Sequence, residues 1–166
     1  MCVVKRIAVE VKLSRGFIAI IDSEDSEKIN KHNWWVLPSL NTQYAAAKIK
    51  GRCVLMHRFI VSAPLGTTMD HINGNGLDNR KGNLRYATAS QNAANTGKPT
   101  ITRCTSIYKG VSLTKEPWRR KRWVAQIRVN GKRFRWRCAT EREAARVYDK
   151  VAKKHFGEYA RLNFDN

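Results

Sequence analysis

The chain has 166 residues, 42% of them hydrophobic, enough apolar side chains for one mid-sized domain or two small ones. Its net charge of +19 and pI of about 10.3 are distributed unevenly: residues 101–166 carry 18 Lys/Arg and 6 Asp/Glu, against 14 and 7 in residues 1–100. Such an excess argues against a merely soluble surface, in which acids would be interleaved, and implies a polyanionic partner, nucleic acid first, because neutralising phosphates releases counterions and supplies sequence-independent affinity.

The first residues, "MCVVKRIAVEVKLSRG", interrupt their apolar positions with charge every few residues, so neither a signal peptide nor a membrane span is expected there. Cysteines 2, 53, 104 and 138 lack the close spacing of a zinc site or a redox pair, which points to a reduced, cytoplasmic setting. Residues 5–13 alternate loosely and "GFIAIID" at 16–22 is a short apolar run, so both read as strands of a small opening sheet. "SEDSEKINKHNWW" begins with cap residues and early acids, which suits a short helix packing Trp34 and Trp35. "YAAAKIKGRCVLMHRFI" reads as two strands about Lys50-Gly51, followed by a brief helix that starts near His57-Arg58 and ends before Pro64.

Met69-Asp70-His71 is expected to end a strand. "NGNGLDNRKG" then supplies turn residues that tolerate left-handed backbone, and "NLRYAT" reads as a second strand. Thr88 and Gln91 form a capping-box pair that starts a helix over 89–95, with Gly97 as its stop. Asn73, Asn75, Asn79 and Asn95 are expected to be structural; His57 is open between assisting the site and packing, the commoner role for a histidine between a strand and a helix, while His32 and His155 offer no chemistry. Arg80 and Arg85 suit phosphate contact and internal ion pairing equally well.

From His57 to Asn95 the pattern "HR…P…DHI-G-N-DNR-NLR-T-QN--N" resembles the ββα-metal motif of HNH nucleases, in the intron-homing and phage subgroup. The resemblance implies that Asp70 and Asn92 are metal ligands, that His71 is the general base and that Asn83 braces the loop holding it. An imidazole is mostly neutral at cellular pH and can accept a proton from water. A carboxylate and an amide carbonyl are hard oxygen donors, which favours Mg²⁺ or Mn²⁺ over Zn²⁺.

Residues 96–107, "TGKPTITRCTSI" in their Gly, Pro, Ser and Thr content, read as a linker. Strand-like stretches follow at 108–113 and 123–138, then an Ala-rich amphipathic helix over about 140–155. Asn130-Gly131 fixes a two-residue hairpin turn, so Val129 faces Lys132, Arg128 faces Arg133, Gln126 faces Arg135 and Val124 faces Arg137. Trp123, Ala125, Ile127, Phe134, Trp136 and Cys138 then share the opposite, core side. Like-charged arginines on one face repel one another unless a polyanion lies across them. Gln126, Arg128, Arg133 and Arg135 are therefore candidate base readers in a major groove, with Arg137 beside them, and Arg119, Arg120, Lys121 and Arg122 suit phosphate. From Tyr108 to Phe164 the chain also resembles the ethylene-response-factor DNA-binding domain of plants, which implies that Lys109 contacts DNA.

These readings give an α+β fold with an N-terminal small sheet and ββα-metal motif, then a three-stranded antiparallel sheet packed on one helix. The expected modules are a nuclease at 1–96, a linker at 97–107 and a DNA-binding domain at 108–166. The expected function is a site-specific, divalent-metal-dependent endonuclease of homing type acting on double-stranded DNA, as a monomer, with no membrane and no small-molecule cofactor. The rival is a DNA-binding regulator that keeps the scaffold without cutting; an RNA binder is disfavoured because Phe134 and Trp136 are expected on the core side.

Overall fold

Alternating residues of Ala8–Lys12 and the apolar run Ile18–Asp22 form an antiparallel ribbon, β1 and β2, joined through a 3-10 turn at Ser14–Gly16. The computed structural model describes residues 7–39, 42–98 and 104–164. These fall into two units, Met1–Thr88 and Ala89–Asn166. Among the described residues no helix is long and apolar enough to cross a membrane.

In the first unit a 3-10 turn, Ser23–Asp25, leads into the one-turn helix α1 (Ser26–Ile29), and Trp34 Nε1 donates to the Ile29 carbonyl at 2.8 Å. The tryptophans themselves open β3 (Trp34–Pro38), a strand beyond those expected from the sequence; aromatic residues suit a pleated surface, with Trp34 and Val36 buried and Trp35 on the other face. β3 pairs with β4 (Gln43–Ile49), and β4 with β5 (Arg52–Leu55) about the Lys50-Gly51 turn. Helix α2 (Met56–Ile60) follows directly, so His57 lies inside the helix. β6 (Met69–His71) and β7 (Leu84–Tyr86) complete the unit with the register Met69↔Tyr86, Asp70↔Arg85 and His71↔Leu84. The described residues of this unit thus make three small antiparallel sheets around a core that includes Ile21, Ile29, Trp34, Val36 and Met56.

Residues 72–83, between β6 and β7, are fastened to the earlier strands. Ile20 N–H donates to Leu77 O (2.8 Å) and Asn79 N–H to Ile20 O (2.7 Å), while Lys81 N–H donates to Asp22 Oδ2 (2.8 Å). Gly76 N–H donates to Thr42 Oγ1 (2.9 Å), and only glycine fits there, since a Cβ would stand 2.4 Å from Gln43 O and 2.6 Å from the Tyr44 ring.

The second unit begins with α3 (Ala89–Asn95). The helix ends two residues before Gly97, the expected stop, without a positive φ there; Thr96 donates from N and from Oγ1 to Asn92 O, each at 3.0 Å. Of the expected linker, residues 99–103 lie outside the described residues. β8 (Val111–Leu113), β9 (Trp123–Val129) and β10 (Lys132–Cys138) form an antiparallel sheet in the order β10-β9-β8, and the β9–β10 pairing has the register fixed by the Asn130-Gly131 turn, with φ of 48° and 76°. Helix α4 (Glu141–Phe156) is capped by Thr140, whose Oγ1 accepts from Glu143 N–H at 3.1 Å, and packs Ala144, Ala145, Tyr148 and Ala152 on Val111, Ala125 and Ile127.

Two side chains of the hairpin depart from expectation. Phe134 is 42% exposed rather than core, because β10 is an edge strand that α4 covers only in part; its ring stacks on Trp136 at 6.2 Å. Val124, on the arginine face, is 1% exposed, so that face is closed at one end.

Replacing Gly76 with Ala forces a backbone or Tyr44 shift and is expected to cost ~1 to 3 kcal/mol. Thermal or urea denaturation measures it, and an unchanged midpoint would show that residues 72–83 do not pack against β4 as described.

Candidate active site

His71 ends β6 with 5% of its surface exposed, and three side chains from distant parts of the unit define its surroundings. The His57 ring meets it edge-on with centroids 4.8 Å apart, the Tyr44 ring lies 5.8 Å away, and Asn79 Oδ1 is 3.5 Å from Nε2. Burial pushes the His71 pKa below the usual imidazole value, opposed in part by the Asn79 contact and by the charges of Asp70 and Asp78. His57 is pushed down to about 3, by burial first and then by His71 and Arg58, and its Nδ1 is buried without a hydrogen-bond partner. Burial raises the Tyr44 pKa, with Asp70 acting in the same direction. The ring cluster is therefore neutral near pH 7.

Asp70, 4% exposed, sits directly opposite Arg85, and Arg85 Nε and Nη2 both approach Asp70 Oδ2 at 2.9 Å. Arg85 thus makes an internal ion pair. Arg80 does the same with Asp78, through Nε to Oδ1 (2.8 Å) and Nη2 to Oδ2 (2.7 Å), and its hydrogen bonds hold the Asp78 carboxyl below the usual range. For both arginines the structure supplies the internal partner that the sequence left open.

Asn83 knits the intervening loop. Its Nδ2 donates to Asp78 O (2.7 Å) and Asn73 Oδ1 (3.0 Å), its Oδ1 accepts from Asn73 N–H (3.0 Å), and its carbonyl accepts from Ile72 N–H (2.9 Å), one residue beyond His71. Asn73 Nδ2 donates to Asp78 Oδ2 (2.9 Å) and Asn75 Oδ1 accepts from Leu77 N–H (3.0 Å). On the other side of β6, Arg58 donates to Thr67 O (2.6 Å) and Pro64 O (2.7 Å), closing the approach to the strand.

Among the described residues, one group of three acidic, His or Cys side chains is close enough to share a cation: Asp22, Glu24 and Asp25. Lysines already engage two of its three carboxylates, since Lys81 Nζ lies 2.5 Å from Glu24 and 3.3 Å from Asp25, and Lys28 Nζ 2.7 Å from Asp25.

The remaining expected site residues lie in the second unit. Asn92 is on α3. Gln126, Arg128, Arg133 and Arg135 are exposed on one sheet face, as are Arg120 and Lys121 in the preceding loop. Arg119 and Arg137 instead share Glu116 Oε2, at 2.5 and 3.2 Å, and Arg122 is half-buried with its carbonyl accepting from Thr114 N–H. Lys109, expected to contact DNA, is half-buried and donates to main-chain carbonyls of α3. Sequence reasoning missed Tyr44 altogether, gave Asn79 only a structural role and left His57 open between packing and assisting the site; the Asp78-Asn79 and His57-Arg58 pairs were the available signals.

A short strand ending in Asp-His, a loop braced by asparagines and a second strand closing on it all lie within the segment over which the chain is similar to known HNH proteins. The HNH endonuclease family profile matches residues 56–94. A protein of Acanthamoeba polyphaga mimivirus, described as an uncharacterized HNH endonuclease, is 30% identical over 157 residues, covering 90% of this chain and 76% of that protein. Protein 3.8 of Escherichia phage T7 is 32% identical over 99 residues, 60% of this chain and 78% of that protein. No solved structure matches the chain significantly. The chain belongs to the HNH endonuclease family, a class of DNA-hydrolysing enzymes.

The depressed His57 pKa has a consequence for stability. The unfolded chain binds a proton at this residue below about 6.5, the folded chain only near 3, so the stability present above 6.5 is lost as pH falls through that window. Melting temperatures recorded from pH 8 to pH 5 are expected to fall more steeply for the native chain than for His57→Gln, and parallel curves would contradict a buried neutral His57.

Proposed function

We propose that this protein is a site-specific endonuclease of homing type that hydrolyses phosphodiester bonds in double-stranded DNA with the aid of Mg²⁺ or Mn²⁺. The observation that carries the reading is His71, a buried imidazole with a lowered pKa next to Asp70 at the end of β6. With Nε2–H turned toward Asn79 Oδ1, the lone pair resides on Nδ1, and that atom takes the proton of the attacking water. His57 and Tyr44 restrict the ring to one orientation, and Asn83 holds the chain immediately after it.

Asp70 and Asn92 are the proposed metal ligands, by their positions in the resembled motif. Their carboxylate and amide oxygens suit a hard divalent ion, which when bound supplies positive charge for the leaving oxygen. Arg85 orients Asp70 from the neighbouring strand. The proposed modules are the nuclease at 1–96 and, after a linker at 97–107, an ethylene-response-factor-like domain at 108–166; a three-stranded sheet backed by α4 supports the latter. Gln126, Arg128, Arg133 and Arg135 are its base readers, and Arg120 and Lys121 contact phosphate. The viral origin of both relatives supports a mobile-element role.

With Mg²⁺ or Mn²⁺, supercoiled plasmid bearing the target is expected to become nicked or linear. His71→Ala should reduce the cleavage rate by ~10²- to 10⁴-fold while DNA affinity stays within twofold; equal loss of both would make His71 structural. Arg133→Ala with Arg135→Ala should weaken binding and reduce the slope of log affinity against log salt by about 1 to 2, whereas an unchanged slope would remove the sheet from the interface.

A further inference from the structure

Lys109 stands where three parts of the second unit meet. Its Nζ donates to Ala93 O (3.4 Å) and to Ala94 O, both in the last turn of α3, and Arg161 N–H also donates to Ala94 O (3.1 Å). The Lys109 backbone is bracketed by one side chain: its N–H donates to Asn163 Oδ1 (2.6 Å) and its carbonyl accepts from Asn163 Nδ2 (3.1 Å). Asp149 of α4 holds that bracket, accepting from Asn163 N and Nδ2 through Oδ1 (2.9 and 3.0 Å) and from Phe164 N–H through Oδ2 (3.0 Å). The next residue, Gly110, accepts from Gln126 N–H of β9 at 2.7 Å, and a Cβ there would stand 2.1 Å from the Tyr148 ring.

Helix α3 needs such support. It has seven residues, no acidic side chain in its first turn and no basic one in its last. A helix this short is not stable alone, and its terminal carbonyls require partners from elsewhere. A cation at the C-terminal end also complements the helix dipole. Lys109 is held there against opposition, since burial and then Arg161 push its pKa down to about 8. A lysine serving DNA alone would stay solvated.

We propose that Lys109 is a positioning residue for hydrolysis: its ammonium group fixes the last turn of α3, and with it Asn92, to the junction that joins β9 and α4. This rests on the role proposed above for Asn92. The strand offering Gln126 to DNA and the helix offering Asn92 are then parts of one body, tied through Gly110 and Lys109.

The test uses the full chain and three variants, Lys109→Met, Lys109→Arg and Asn163→Ala. Amide hydrogen exchange is followed in residues 89–96 and, as an internal control, in β9; plasmid nicking is timed, and DNA affinity is measured in EDTA over a range of salt. Lys109→Met is expected to speed α3 exchange and slow nicking by at least tenfold each, with β9 protection intact and DNA affinity and its salt slope unchanged. Lys109→Arg should recover most of both, and Asn163→Ala should loosen α3 although the lysine is retained. Unchanged α3 exchange with a salt slope smaller by about one would make Lys109 a DNA contact and overturn the proposal. So would simultaneous loss of β9 protection in both Lys109→Met and Asn163→Ala, which would mark a general folding role. If the native chain exchanges as expected but cuts no DNA, the hydrolytic reading of Asn92 fails first, and the positioning role falls with it.

Discussion

A buried imidazole at the end of β6, its pKa lowered by burial, is the group that the first unit is arranged to hold. Polar groups removed from water must be hydrogen-bonded, and a ring enclosed by Tyr44, His57 and Asn79 can keep only a neutral state at modest cost. Its fixed position depends on residues 72–83, which are tied to β2 by main-chain bonds, to Thr42, just before β4, by Gly76 and to themselves by amides. Asparagine suits this task in a strongly basic chain. It offers a donor and an acceptor without charge, so the loop gains rigidity without drawing lysine or arginine into the site.

The scarce acids follow a related logic. Asp70 and Asp78 engage Arg85 and Arg80, while Asp22, Glu24 and Asp25 take Lys81 through its backbone or its ammonium group. Asp149 accepts main-chain and amide N–H groups near the C-terminal end. Carboxylates are used to orient internal parts, and the exposed face of β9 and β10 is left with Arg128, Arg133 and Arg135 uncompensated by any ion pair among the described residues. The division between the buried aspartates, Asp22, Asp25, Asp70, Asp78 and Asp149, and the exposed bases of the sheet keeps those carboxylates from competing with phosphate.

Legibility from sequence followed the range of the interactions. The β9–β10 register was readable because a two-residue turn at Asn130-Gly131 permits one pairing, and α3 because its turn and cap residues are local. Asp70 and His71 were readable as a pair through their spacing to Asn83 in a known motif. Strand β3 was not, since Trp34-Trp35 carries no alternating pattern and gains its conformation by pairing with β4. Nor was the ring cluster, because Tyr44 and His57 reach His71 only after the sheets assemble. The exposure of Phe134 and the inward turn of Lys109 likewise depend on what an edge strand and a short helix find beside them.

The most direct measurement of the central claim is the protonation state of the His71 ring, read from its ¹⁵N and ¹³C chemical shifts in the full-length protein as pH is lowered from 8. The account predicts a neutral ring at pH 7, protonated on Nε2, with its midpoint below that of an exposed histidine. A charged ring at pH 7, or the opposite tautomer, would contradict it.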